Sequence, residues 1–105
     1  MNLEAHDQFD ATELDEVVHG RMRLGVLAYL AGAGEADFNT LKDHLKTTNG
    51  NLSVHLGKLE AAGYVELHRS ISGKRTRTVA RPTAAGREAL RDYVDRLARL
   101  VDQLG

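Results

Sequence analysis

A four-residue polar segment, Lys46-Thr47-Thr48-Asn49, separates two apolar runs of helical spacing, and this spacing restricts the fold more than any other feature of the sequence. Before it, Phe38, Leu41 and Leu45 share one face of a short helix predicted over 38–46, with Asp37 as its N-cap. After it, Leu52, Leu56, Leu59 and Ala62 form the apolar stripe of a helix predicted over 50–62. Gly63 then stands where a left-handed C-terminal cap is needed. A connection this short and polar suits a tight turn between two helices.

The flanking segments extend the pattern. From 10 to 31, Leu14, Val17, Val18, Leu24, Leu27 and Leu30 recur mostly at three- and four-residue steps, which predicts one amphipathic helix. Thr12 followed by Asp15 and Glu16 supplies its start, and Gly32 and Gly34 its end. Beyond Gly63 the period changes: Tyr64, Val65 and Leu67 read as a strand continued by Arg69 to Ser72. Ser72-Gly73-Lys74 reads as a turn and Thr76 to Arg81 as the returning strand, giving a β-hairpin with a basic tip. Pro82-Thr83 breaks that strand, and Thr83 caps a last helix through Leu104.

In this last helix Leu90, Val94, Leu97, Val101 and Leu104 fall at steps of four, three, four and three, a heptad seam about two repeats long. The seam either packs on its own domain or pairs with a second copy. Pairing is favoured because the seam runs to the end of a small protein. The expected dimer interface comprises Leu14, Val18, Leu90, Val94, Leu97, Val101 and Leu104, from helices 12–31 and 84–104.

With 105 residues, 42% hydrophobic and 28% charged, the chain suits a single globular domain over 1–105. No Cys is present, which excludes disulfides, thiolate metal sites and thiol nucleophiles. No apolar run approaches the roughly 20 residues of a membrane span, and the acidic N-terminus does not read as a signal peptide. A cytoplasmic protein is expected, with no membrane partner.

The formal net charge of −1 conceals two opposite regions. Residues 1–20 carry six acids and no Lys or Arg, whereas residues 42–87 carry nine bases against three acids, a net +6. Within 66–81, Arg69, Lys74, Arg75, Arg77 and Arg81 face Glu66 alone. Such asymmetry points to a polyanion-binding face inside a nominally neutral protein. Residues 1–10 read as a loose acidic arm that would limit indiscriminate binding.

Helix, helix, short turn, helix and basic hairpin in that order describe a helix-turn-helix followed by a wing. The stretch Thr48-Asn49-Gly50-Asn51-Leu52-Ser53-Val54-His55-Leu56-Gly57-Lys58-Leu59-Glu60-Ala61-Ala62-Gly63-Tyr64-Val65 resembles the recognition helix and first wing strand of regulators related to the MarR and ArsR families. Gly73-Lys74-Arg75, Thr78 and Thr83-Ala84-Ala85-Gly86-Arg87 resemble the wing and the entry into the C-terminal helix of a compact branch of these regulators. Leu14-Asp15, His19, Arg23-Leu24, Phe38 and Leu41 resemble its first two helices. The resemblance spans about residues 12–104. It implies an α+β, mainly α fold: a three-helix core, a β-hairpin wing and a long C-terminal dimerisation helix. It also implies a prokaryotic transcriptional regulator that binds double-stranded DNA as a homodimer. Typical MarR proteins are longer and add helices around a ligand pocket, so any small-molecule effector is left unassigned.

The residues support the same chemistry. Opposite the buried stripe, helix 50–62 presents Gly50, Val54, Gly57 and Ala61, flanked by Asn51, Ser53 and Lys58, a small and polar face without acids near its centre. Such a face fits a major groove about 12 Å wide. Asn51 suits a base edge, Ser53 a base or phosphate, and Lys58 a phosphate. Thr48 and Asn49 either cap the helix or contact a phosphate, and the two roles can coexist. His55, at the edge of the stripe, is either a hydrogen-bonded packing residue or a base reader. In the wing over 72–76, Lys74 and Arg75 occupy the tip and Arg77 shares a strand face with Arg75. Insertion into the minor groove is implied most directly for Arg75. Arg69 and Arg81 either touch the DNA backbone or keep the hairpin solvated.

Two competing classes are weaker. No nucleophile elbow, zinc-protease motif, phosphate-binding loop or dinucleotide fingerprint appears, so no enzyme is expected, and no cofactor or metal site. His6, Asp7 and Asp10 read as solvated arm residues rather than metal ligands. A winged helix used only for protein contact is the alternative, but such modules tend to lose the basic wing that this chain keeps.

Overall fold

A computed structural model describes residues 10–105. The remaining part of the acidic arm, with His6 and Asp7, lies outside the described residues. A 3-10 turn (Ala11–Glu13) leads through an irregular segment into α1 (Arg21–Ala33), β1 (Ala36–Asp37), α2 (Phe38–Leu45) and α3 (Asn49–Ala61). The hairpin strands β2 (Val65–Ser72) and β3 (Arg75–Pro82) follow, and α4 (Ala84–Leu104) ends the chain. The sheet has strand order β1-β3-β2 and is antiparallel throughout.

The tight turn after α2 is built as the sequence demands. Asp37 caps α2 by accepting the Thr40 N–H at 2.8 Å, and Lys46 ends the helix in the left-handed region at φ 53°. Thr48 caps α3 by accepting the Asn51 N–H at 3.2 Å. At the far end Gly63, at φ 80°, donates to Glu60 O while Tyr64 donates to Leu59 O, a Schellman closure that turns the chain straight into β2. The hairpin turns through Gly73, at φ 64°, and Lys74.

The first helix and the sheet differ from expectation. The single helix predicted over 10–31 is broken, because short acidic side chains take the N–H groups a helix would use. Asp10 accepts from Thr12 N and Oγ1, and Asp15 accepts from Val17 N and Val18 N at 2.8 and 3.1 Å. Gly20, extended at φ −163°, then starts α1 without a side-chain cap. The apolar spacing survives the break, since Leu14 and Val17 still pack against the core and Val18 lies within it. A two-residue strand, β1, adds a third strand to the expected hairpin by pairing Ala36 with Ala80 and Asp37 with Val79.

Val18, Val26, Leu27, Leu30, Leu41, Leu52, Leu56 and Leu59 form one core, closed by Val65 and Ala80 from the sheet and Tyr93 from α4. The α4 seam is two stripes rather than one. Gly86 and Tyr93 are buried and Leu90 and Leu97 pack inward, whereas Val94, Val101 and Leu104 are exposed. Val18, expected at a dimer interface, is 0% exposed within its own chain and offers no surface to a partner.

Candidate nucleic-acid interface

The polar turn and the Thr48 cap fix where α3 begins, and its three buried leucines fix which way it faces. With Leu52, Leu56 and Leu59 in the core, Gly50, Asn51, Ser53, Val54, Gly57 and Lys58 are all exposed. The two glycines leave the helix backbone open to close approach. Neither Gly50 nor Gly57 has any neighbouring atom within 4 Å of the place a Cβ would occupy.

The strand register sets the wing beside this helix. Ser72 pairs with Arg75, Ser70 with Arg77 and Glu66 with Arg81, so Arg75, Arg77 and Arg81 share one face of the ribbon. Between wing and helix runs an open groove of about 540 Å³, bounded by Asn39, Asn49, Ser53, Arg75, Thr76 and Arg77 among others. Asp37 is the acid in its lining. The Thr40 N–H, its hydroxyl and the positive charge of Arg77, 3.8 Å away, hold the Asp37 carboxyl below its ordinary value.

The basic side chains fall into two groups. Among the described residues, Lys58, Lys74 and Arg75 have no carboxylate partner, and all three are exposed. Arg81 instead donates to Glu35 at 2.8 Å, which gives it a role in tying the sheet edge. Arg77 stands between the two groups, exposed in the groove wall and loosely paired to Asp37.

His55 is set apart from the exposed face. It is half-buried, and its Nδ1 lies 3.0 Å from Nη1 of Arg23 on α1. Burial, and then the positive charges of Arg23 and Lys58, hold its imidazole below the ordinary value. Thr48 spends its hydroxyl on the α3 cap and remains exposed, so both roles expected of it are geometrically compatible.

Asn39 and Thr76 line the groove without having been singled out in the sequence. Asn39 had a readable signal, since it follows the Asp37 cap at the start of α2. Thr76 had none beyond its place in the strand. Among the described residues no cluster of three or more His, Asp or Glu is placed to hold a metal, and no helix is long and apolar enough to cross a membrane.

An open, polar, acid-poor groove between a helix with a bare face and a basic hairpin suits the phosphate backbone and base edges of a nucleic acid. Comparison with known proteins agrees. The family of winged helix DNA-binding domains matches residues 22–101. An uncharacterised protein of Methanocaldococcus jannaschii is 36% identical over 85 residues, which cover 81% of this chain and 92% of that protein. The structure of a transcriptional regulator homologue from Pyrococcus horikoshii OT3 matches with a TM-score of 0.80 at 30% identity, over 86% of this chain and 89% of that one. Two more distant structures share the fold. MarR matches at TM-score 0.74 and 20% identity, over 97% of this chain and 74% of its own. The PcaV regulator of Streptomyces coelicolor, solved with its natural ligand, matches at 0.73 and 21%, over 96% and 70%. The chain therefore belongs to the winged-helix DNA-binding family and is a DNA-binding regulator with the fold of MarR.

Proposed function

We propose that this protein is a homodimeric, sequence-specific transcriptional regulator that reads double-stranded DNA. In this reading α3 enters the major groove with Asn51, Ser53 and Val54 toward the bases. Thr48, Asn49 and Lys58 contact phosphates, and the wing carries Lys74 and Arg75 to the adjacent minor groove, with Arg77 on the backbone. His55 supports the helix from behind. The observation that carries the reading is the groove between α3 and the wing, where Asn49, Ser53 and Arg75 converge on one open, polar surface.

Dimer formation is supported by the exposed apolar stripe of Val94, Val101 and Leu104, which the core leaves uncovered. Leu14, Leu90 and Leu97 flank it, partly occupied by their own domain. Two copies would set their recognition helices about one DNA turn, roughly 34 Å, apart on a near-palindromic operator. The deciding experiment selects bound sites from random duplex DNA and then measures affinity at two salt concentrations. Symmetric sites and a steep loss of affinity with salt are expected, because each neutralised phosphate releases counterions. An absence of binding even at low salt would overturn the reading in favour of a protein-contact module.

A further inference from the structure

Arg23 joins three separate pieces of the chain. Its Nε donates to Val17 O at 2.6 Å and its Nη2 to Glu16 O at 3.4 Å, both in the irregular segment before α1. Its Nη1 reaches His55 Nδ1 on α3 at 3.0 Å. A guanidinium has donors only, so His55 Nδ1 must be the unprotonated acceptor and the ring proton must sit on Nε2.

The segment that Arg23 grips is itself anchored to the rest of the domain. Asp15 accepts from Val17 N, Val18 N and the Tyr64 hydroxyl, and His19 Nδ1 meets the Tyr93 hydroxyl of α4 at 2.6 Å. A line of polar contacts thus runs from α4 through residues 15–19 and Arg23 to the middle of α3.

We propose that Arg23 and His55 act as positioning residues, a strut that sets the recognition helix, and that protonation of His55 releases it and weakens specific DNA binding. The proposal rests on the reading of α3 as the DNA-contacting helix. A proton on Nδ1 removes the acceptor and places a second cation against the guanidinium. Two cations face the ring and oppose that proton, Arg23 from α1 and Lys58 one turn along α3, and Glu16 is the acid lining the same surface depression. From the preceding segment, Glu16 gives Arg23 its backbone carbonyl, and Asp15 is engaged by Tyr64 and two backbone N–H groups. His19, beside Arg23 in the same surface depression, is paired to Tyr93. Acidification therefore acts on the strut through His55 itself.

Two measurements test this. Nitrogen-detected NMR of the His55 ring should show the Nε2-protonated tautomer near neutral pH and protonation below the ordinary histidine range. Affinity is then measured between about pH 7.5 and 5.5 at constant ionic strength, for a duplex selected by the protein and for a mixed-sequence duplex. For the wild type the ratio of the two affinities should fall toward the acid end of this range, within the limit of about tenfold per pH unit for one proton. His55→Gln keeps an acceptor that does not titrate, and its ratio should stay flat. An Nδ1-protonated tautomer, equal slopes in the two proteins, or a wild-type ratio that rises in acid would overturn the proposal. If neither duplex binds at any pH, the DNA reading fails and the switch with it, while the NMR arm still reports whether the strut exists.

Discussion

Gly86 lies against the backbone of Tyr64 so closely that a methyl group on it would sit 3.0 Å from Tyr64 Cα and closer still to the Tyr64 carbonyl oxygen. That same oxygen accepts the Thr83 N–H at 3.0 Å, and the Thr83 hydroxyl donates to Gly63 O at 2.6 Å while capping Gly86 N. The end of α3 and the start of α4 are locked together at this point. Gly86→Ala places a Cβ against main chain, which has no flexible end to swing away. It should destabilise the fold by about 3 kcal/mol, the upper part of the range for overpacking. Urea unfolding checks this, and a loss below about 0.5 kcal/mol would mean that α4 shifts at no cost.

Gly57 gives the opposite expectation from the same chemistry. It stands inside α3 with open space where a Cβ would be, so Gly57→Ala should stabilise the free protein by about 0.8–1 kcal/mol. The methyl group would stand on the face proposed to approach DNA, so affinity for a selected duplex should fall. Denaturation and DNA titration of one variant therefore move in opposite senses. A variant gaining in both would remove Gly57 from the contact face.

These two glycines show how far the sequence could be read. The helix-turn-helix, the hairpin and the α4 start were legible because each is specified locally, by an apolar period, a Thr or Asp cap, or a glycine at positive φ. The break before α1 was not, because Asp15 also sits where a helix would accept an acid, and only its bonds to Val17, Val18 and Tyr64 decide against one. The heptad pattern in α4 was real but merged an inward stripe with an outward one, and it passed over Tyr93, the side chain that α4 buries most deeply. The exposed face of α3 followed directly from its leucines. The Arg23–His55 contact joins residues 32 positions apart and left no local trace.

The Tyr64 phenol donates to Asp15, and this bond, with burial and the Asp15 charge, pushes its pKa up to about 12 from an ordinary 10.0. A group whose folded pKa is raised contributes stability that is complete below its unfolded pKa and lost as pH climbs toward the folded one. The contribution should therefore be intact at pH 9 and disappear between about pH 10 and 12. Lys side chains also titrate in that window, so the measurement is a difference. The stability gap between wild type and Tyr64→Phe should shrink as pH rises from 9 to 12. A gap that stays constant would show that the phenol is not held by Asp15.

Arg75 and Arg81 share a ribbon face but differ in their partners. Arg75 has no acidic partner among the described residues, whereas Arg81 is paired to Glu35. Arg75→Ala should weaken binding to a selected duplex about tenfold and lower the salt dependence by about one counterion. Arg81→Ala should change the salt dependence less, because its charge is already compensated, and should loosen the sheet edge instead. Fluorescence anisotropy at several salt concentrations separates the two. Equal slopes for both variants would mean that the wing meets DNA along its whole length and not at its tip.

The outward stripe of α4 makes the last prediction. Val94 and Val101 are 51% and 65% exposed and lie seven residues apart on one helix face, with Leu104 at 78% just beyond. Removing both valines from water between two copies would contribute about 1.5–3 kcal/mol for each side chain fully buried. A glutamate at either position would instead bring like charges together across the two-fold axis. Val94→Glu with Val101→Glu should therefore yield a monomer in sedimentation velocity, with an unchanged circular dichroism spectrum and a thermal transition that no longer depends on protein concentration. Leu97 is left in place because it packs on the core, and a charge there would confuse unfolding with dissociation. The monomer should bind a half-site weakly and lose the tight affinity for the symmetric site, because only the linked pair gains from two adjacent half-sites. A double variant that stays dimeric would move the interface away from this face of α4.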